Sequence, residues 1–220
     1  MRESIYSIKS LQQAPHQDLH QVVLKHLQTE FLRPINAMQQ SIFNGIDSFV
    51  KKSGQPVILD SACGTGMSTV CLAKKYPEHI VIGVDKSSVR LSKNKEVSDN
   101  MQLVQANLVD FWRLIAVSHW PISKHYILYP NPYPKPNDLT KRWQGHPLFP
   151  VILRLSANIE IRSNWRIYLE EFQLAVKIAS PQAVTNIQVL SSLDVPMTLF
   201  EKKYWANSTR TYSLSVQGIS

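Results

Sequence analysis

Val57-Ile-Leu-Asp-Ser-Ala-Cys-Gly-Thr-Gly-Met67 reads as a buried strand, a turn of small residues and the opening of a helix. The apolar run ends on the carboxylate of Asp60, and Gly64 and Gly66 let the backbone approach a ligand where a Cβ would clash. The free N–H groups at the start of the next helix favour a polar or negative group. A glycine-rich turn alone is a weak signal. A second apolar strand, Ile80-Val-Ile-Gly-Val-Asp85, strengthens it, because it also ends in an acid. A carboxylate at Asp85 can accept both hydroxyls of an adenosine ribose, since its two oxygens form the required fork.

Working outward, short apolar runs alternate with amphipathic stretches. Helices are expected at Met67 to Tyr76, stopped by Pro77, at Ser87 to Val97 and at Leu108 to Val117. Strands are expected at Met101 to Gln105 and at Tyr126 to Tyr129. Farther on, Phe149 to Ile161 reads as helix, Trp165 to Leu169 as a fifth strand and the stretch through Ile178 as helix. Val184 to Leu190 and Arg210 to Val216 complete a seven-stranded sheet, with room for one antiparallel member. The alternation predicts an α/β fold, a mostly parallel sheet with right-handed crossovers and helices on both faces.

Residues 1–55 form an N-terminal helical extension in this reading, and 56–220 the α/β domain. Leu19, Val23, Leu27 and Phe31 recur every fourth position before Pro34, and Ile35, Met38, Ile42, Ile46 and Phe49 continue a second stripe. Such helices cover a core; they can also help to shape a ligand pocket.

With 220 residues and 44% apolar content, the chain can bury one sizeable core. Its formal net charge of +8 permits a polyanionic partner without establishing one. From Lys124 to Arg166 there are seven Lys or Arg against two acids, and this segment holds a proline cluster from Pro130 to Pro150, expected as one long stiff loop. Cys63 and Cys71 are expected to stay reduced. The first residues lack an apolar stretch with a small-residue cleavage site, and no apolar run is long enough for a membrane span, so a cytoplasmic location is expected. The seven histidines show no metal-ligand spacing, and no metal is expected.

The most specific stretch follows the fourth strand: Ile127-Leu-Tyr-Pro-Asn-Pro-Tyr-Pro-Lys-Pro136. Ligands of open α/β sheets lie beyond the carboxyl ends of the strands, which puts this loop over a bound cofactor. The acid, the glycine turn and Asp85 together resemble the class I methyltransferase motif, acid-x-Gly-x-Gly-x-Gly followed by a ribose-binding acid, with Ala62 in place of the first glycine. Alanine is tolerable there if it keeps negative φ. A nicotinamide-binding Rossmann protein is the competing reading, and Asp60 at the strand end suits the methyltransferase pattern better. The loop resembles two families. Amino-directed nucleic-acid methyltransferases carry Asp/Asn-Pro-Pro-aromatic. Bacterial tRNA (guanine-N7)-methyltransferases carry Phe-Pro-Asp-Pro-Trp-x-Lys followed by a basic run, and the longer match is to these. Pro130, Pro132, Tyr133 and Lys135 align without a gap, with Asn131 at the family's acid. Pro196-Met-Thr-Leu-Phe-Glu201 resembles the family's Thr-x-Phe-Glu, and Glu171-Phe172 stands roughly where it has Asp-Trp.

The resemblance implies a Rossmann-like class I methyltransferase that takes S-adenosylmethionine and acts on tRNA, in a divergent form. It implies cofactor contacts at Asp60, Gly64, Gly66 and Asp85, with Asn107 either at the adenine edge or simply forming a turn. It assigns Asn131 to catalysis and Tyr133, Lys135, Glu171, Thr198 and Glu201 to the substrate. Tyr133 and Trp143 can stack a splayed base, and Lys135, Lys141 and Arg142 can meet phosphates; each can equally serve loop packing or solvation. Thr198 can be a helix cap, and Glu201 can supply the acceptors for guanine N–H groups that an amide at position 131 does not. The Asn for acid exchange and a thinned basic run, Asp138-Leu-Thr-Lys-Arg-Trp143, leave cofactor and fold intact and open other readings: methylation of an amino group of a nucleic-acid base or of a small molecule, or a weakly active or inactive paralogue that binds cofactor and RNA.

Overall fold

The computed structural model describes residue 6 and residues 8–219. Seven strands form one sheet in the order β3-β2-β1-β4-β5-β7-β6. They are β1 (Val57–Ser61), β2 (Ile80–Asp85), β3 (Met101–Gln105), β4 (Ile122–Leu128), β5 (Asn158–Ser163), β6 (Val184–Val189) and β7 (Tyr212–Gln217). The first five run parallel, and β7 lies antiparallel between β5 and β6. β1 and β2 are buried along their whole lengths, as a parallel strand covered on both faces must be, and their near-continuous apolar runs reflect it.

Helices α1 (Leu19–Gln28), α2 (Ala37–Ser53), α3 (Met67–Lys75), α4 (Ser88–Leu91), α5 (Leu108–Ser118), α6 (Phe149–Leu155), α7 (Arg166–Ala179) and α8 (Leu199–Ala206) complete the chain. Helices α5, α6 and α7 bury Phe111, Trp112, Phe149, Ile152, Tyr168 and Phe172 against one sheet face, and α1 and α2 pack outside them. Helix α3 buries Val70, Leu72 and Ala73 on the opposite face against Ile58, Val81 and Tyr126. A Cβ at Gly83 would run into the Thr69 side chain, so glycine in β2 lets α3 sit this close. Beyond β4 that second face changes character. Ile159, Ile161, Leu214 and Val216 point to the first core, so the alternation turns Glu160, Arg162, Ser213 and Ser215 the other way, beside exposed Asn186 and Gln188 on β6.

Three expectations fail locally. The helix read from Phe149 to Ile161 stops at Leu155, because Ser156 turns extended and hydrogen-bonds Asn158 N, and the alternating Asn158–Ser163 becomes β5. The fifth strand expected at Trp165 to Leu169 is the first part of α7, whose Tyr168, Leu169, Phe172, Ala175 and Val176 recur at helical spacing on the core. The helix expected at Ser87 to Val97 is one turn, Ser88–Leu91, capped by Ser87; Val89 and Val97 remain in solvent, so nothing apolar holds a longer helix. The N-terminal extension is helical only over α1 and α2.

Before α1, the chain runs across the proline loop. Ser10 Oγ donates to Pro134 O at 2.6 Å, and His16 N donates to Glu171 Oε1 at 3.0 Å. Glu171 and Arg142 are both fully buried and form a bidentate pair with N–O distances of 2.6 and 2.7 Å. Arg142 also donates to Tyr133 O and Lys135 O at 3.1 Å, and to Gln12 Oε1 at 2.9 Å. Its guanidinium lies 4.9 Å from the Trp165 ring centroid. Removing one partner of a buried pair leaves an uncompensated charge, at a cost of about 3–5 kcal/mol. Arg142→Ala should therefore lower the unfolding free energy by about that much in urea melts. The double variant Arg142→Met with Glu171→Leu should lose clearly less; equal losses would show that the charges are not what matters.

Candidate functional site

The strand order reverses between β1 and β4, which opens a crevice beyond their carboxyl ends. On the β1 side, the turn from Ala62 to Gly66 is stitched to β2: Cys63 N donates to Val84 O and Gly64 N to Asp85 Oδ2 at 2.9 Å. Asp60 is fully buried, and its Oδ2 accepts from the Ser68 and Thr69 hydroxyls at 2.7 Å each, tying strand to helix. Its Oδ1 is buried without a hydrogen-bond partner. Burial, partly opposed by the two hydroxyls, pushes the carboxyl up to about 6. Asp85 is also buried; besides Gly64 N it accepts from Ser87 N at 2.8 Å and pairs with Arg90 at 2.9 Å.

Ala62 has φ 60°, the left-handed region, against the expectation of negative φ. The position keeps the conformation that favours glycine and bears its strain, about 1–2 kcal/mol for an L-residue. Gly64 is left-handed too, at φ 62°, and a Cβ built there meets nothing within 4 Å, so open space faces the turn.

These features fit S-adenosylmethionine. The orphaned Asp60 oxygen is the acceptor a ligand ammonium needs near the glycine turn. A carboxylate offers about four lone-pair sites, so Asp85 keeps capacity for a ribose hydroxyl beside its three present donors. Asn107 is exposed and serves as the N-cap of α5, its Oδ1 accepting from Val109 N at 2.9 Å. The turn-forming role is thus realised at that residue.

On the β4 side, the chain leaves the sheet through Tyr129, at φ 53°, and turns again at Tyr133, at φ 44°. Such conformations persist only where surroundings enforce them. Here Arg142 grips the Tyr133 and Lys135 carbonyls, and Asn131 Oδ1 accepts from Tyr133 N at 3.3 Å. Asn131 and Lys135 are exposed and Tyr133 is half-buried. Lys141 lies 5.9 Å from the Tyr133 ring and pairs with Asp138 at 2.9 Å.

The other residues expected to meet substrate make contacts within the protein. Arg142 is buried and meets no solvent phosphate; Glu171 spends both oxygens on Arg142, Gln144, Gln12 and His16 N. Trp143 packs edge-on to Trp112 at 4.5 Å within the core. Thr198 caps α8 by accepting from Glu201 N at 3.0 Å. Glu201 is fully buried, accepting at Oε1 from Tyr129 Oη and Arg162 Nη1, each at 2.9 Å, and at Oε2 from Met197 N at 2.7 Å. Burial first, and then the Glu201 charge, hold the Tyr129 phenol well above its ordinary range. Sequence reading missed this Tyr129–Glu201–Arg162 cluster; the polar residues alternating along β5 were the available signal. It also missed His125, buried in β4 with Nε2 at 2.8 Å from Ser61 Oγ and pushed by burial down to about 3, hence neutral. Among the described residues, no group of three or more His, Cys, Asp or Glu is placed to hold a metal, and no helix is long and apolar enough to cross a membrane.

A family model described as "Putative methyltransferase" matches residues 54–214, from the end of α2 into β7. The chain belongs to that family. It is the tRNA (guanine-N7)-methyltransferase family, and this chain is a divergent member, dependent on S-adenosylmethionine. No curated protein matches in sequence. Among solved structures, an antibiotic-related methyltransferase is similar at 16% identity and TM-score 0.59, covering 77% of this chain and 92% of that one. A 16S rRNA (adenine(1408)-N(1))-methyltransferase mutant from Catenulisporales acidiphilia aligns at 16% identity and TM-score 0.55, over 80% of this chain and 93% of its own. The 16S rRNA methyltransferase KamB aligns at 11% identity and TM-score 0.53, over 86% and 97%. These likenesses show the Rossmann-like class I fold.

Two measurements check this geometry. Ala62→Gly should raise the urea-unfolding free energy by about 1 kcal/mol, since glycine relieves the left-handed strain. A loss would mean that Ala62 makes a compensating contact. Asp60 has a folded pKa above the unfolded one, so the native state binds the extra proton between about pH 4 and 6. Its contribution is complete below that window and lost as pH rises through it, a swing on the order of 2–3 kcal/mol. The stability difference between wild type and Asp60→Asn should shift by this amount between pH 4 and pH 7, against wild type at the higher pH. A pH-independent difference would contradict the burial argument.

Proposed function

We propose that the chain methylates an RNA base, with N7 of a guanine in tRNA as the acceptor. Bound S-adenosylmethionine supplies an electrophilic methyl group on a sulfonium sulfur. The turn from Ala62 to Gly66, with Asp60 and Asp85, holds that group on the β1 side, and the loop from Tyr129 to Pro136 orients the base on the β4 side. The observation that carries the choice of atom concerns the carboxylates. Glu171 and Glu201 are buried with their oxygens engaged, and Asn131 is an amide, so none of the three is free to take a proton. Guanine N7 needs none taken. Its in-plane lone pair forms the new N–C bond as the C–S bond breaks, the bonding pair stays on sulfur, and the positive charge passes to the ring. What remains for the protein is orientation, the source of effective molarity.

Within the loop, Asn131 Oδ1 is turned to Tyr133 N, which leaves its amide N–H₂ as the group to offer a base. Guanine O6, beside N7, is an acceptor of the right kind. Lys135 and Lys141 supply cations at the solvent edge. The same amide supports a second reading, a ring nitrogen of adenine, because no carboxylate is left to read guanine N1–H and N2–H. The structural relatives named for 16S rRNA adenine methylation share the fold. The cytoplasm, where tRNA is modified, is the compartment that suits either reading.

Incubation with methyl-labelled S-adenosylmethionine and bulk tRNA, followed by nucleoside analysis, tests the proposal. Label in 7-methylguanosine is expected; label in a methyladenosine would select the second reading, and no label in tRNA, or in rRNA incubated the same way, would overturn both. Asp85→Ala should weaken S-adenosylmethionine binding by about ten- to a hundredfold, through lost charge-assisted hydrogen bonds of roughly 1.5–3 kcal/mol. Unchanged affinity in calorimetry, with the fold intact, would displace the ribose from Asp85.

A further inference from the structure

Just beyond β4, three aromatic rings converge at the edge of the second core, against which Tyr129 packs. Phe200 is 49% exposed and packs in neither core. Its ring stacks on Tyr204 with centroids 5.9 Å apart and planes 26° from parallel. Tyr129 leans on both, at 6.0 Å from Phe200 and 5.6 Å from Tyr204. Tyr6 extends the group from Tyr204 at 5.9 Å, and Lys203 Nζ lies 4.3 Å from the Tyr6 ring. Lys202 and Lys203 are exposed beside it.

The rings are held from beneath. Thr198 and Glu201 fix the first turn of α8, on which Phe200 sits, and the Tyr129 hydroxyl is bonded to the same buried Glu201. Arg162 neutralises that carboxylate from β5 at 2.9 Å. The result is a pre-oriented aromatic face, for which a partner gives up little of the usual ordering entropy. The face borders the loop that begins at Pro130, on the acceptor side of the crevice. A flat, π-faced group with a phosphate on either side matches stacked rings flanked by two lysines.

We infer that Phe200, Tyr204 and Tyr129 form a stacking platform for an unpaired nucleobase of the RNA substrate, a neighbour of the methylated base, with Lys202 and Lys203 against its phosphates. This rests on the RNA reading proposed above. Unpaired bases are the part of an RNA that stacks on aromatic side chains, and such stacking tolerates any base. The platform thus adds affinity and register, while the proline loop chooses the base to be methylated.

The test compares wild type, Phe200→Ala, Phe200→Leu and Phe200→Trp for binding of bulk tRNA by anisotropy across a salt series, with S-adenosylmethionine affinity as the control for folding. Phe200→Ala and Phe200→Leu should each weaken tRNA binding about tenfold at every salt concentration, with the salt slope unchanged, and Phe200→Trp should restore it. Lys202→Ala with Lys203→Ala should flatten the slope by about two. If Phe200→Leu binds tRNA like wild type, the ring packs rather than stacks and the platform is overturned. A changed oligomeric state in Phe200→Ala with tRNA binding intact would assign the face, together with exposed Leu193, Val195 and Leu199, to a protein contact instead. Wild type that binds no tRNA would sink the RNA reading itself and the platform with it, an outcome separate from a Phe200-specific failure.

Discussion

The Arg142–Glu171 pair is the constraint on which the β4 side of the crevice depends. Two charges taken wholly out of water are costly, and they persist because every donor and acceptor around them is used. Glu171 comes from the middle of α7, a rigid element anchored in the core, so the charge has a fixed address. Arg142 carries that fixity to two carbonyls of the proline loop, to Gln12 and to the Trp165 face. The proline loop owes its shape to this anchor as much as to its prolines.

The β1 and β2 strands and their terminal acids were largely legible in the sequence, and for a physical reason. A parallel strand buried on both faces must be apolar throughout, so an acid at its end stands out, as Asp60 and Asp85 do. Features built from distant pairings were not legible. Nothing local marks Arg142 for burial, since its partner lies 29 residues on and its position in a basic stretch resembles a solvated loop. The β5 boundary was missed because Phe149 to Leu155 continues into Ile159 and Ile161 with apolar residues that suit either period. Trp165 to Leu169 has the aromatic and β-branched composition of a strand, and only the spacing through Val176 reveals the helix. Ala62 was misjudged because backbone strain is decided by the stitching of the turn to β2, which no composition records.

The buried polar groups beside the start of the proline loop form a connected set. Tyr129, one residue before Pro130, carries a hydroxyl that engages Glu201, the acid of the C-terminal motif. Arg162 completes the neutralisation. With Asn131 in place of the loop acid, the β4 side of the crevice is poor in available negative charge, while the β1 side carries Asp60 and Asp85.

Strand β7 follows β6 in the chain yet lies between β5 and β6 in the sheet. β6 therefore has no neighbour to pair with when it leaves the ribosome, and must wait for the residues after α8. Its polar outward side chains, Asn186 and Gln188, suit a strand that stays in water during that interval. Glu201 and the α8 turn lie within the same waiting segment, but their partners Tyr129 and Arg162 are already in place when they emerge. The sheet is thus completed by its last-made strand, inserted between two that are already there.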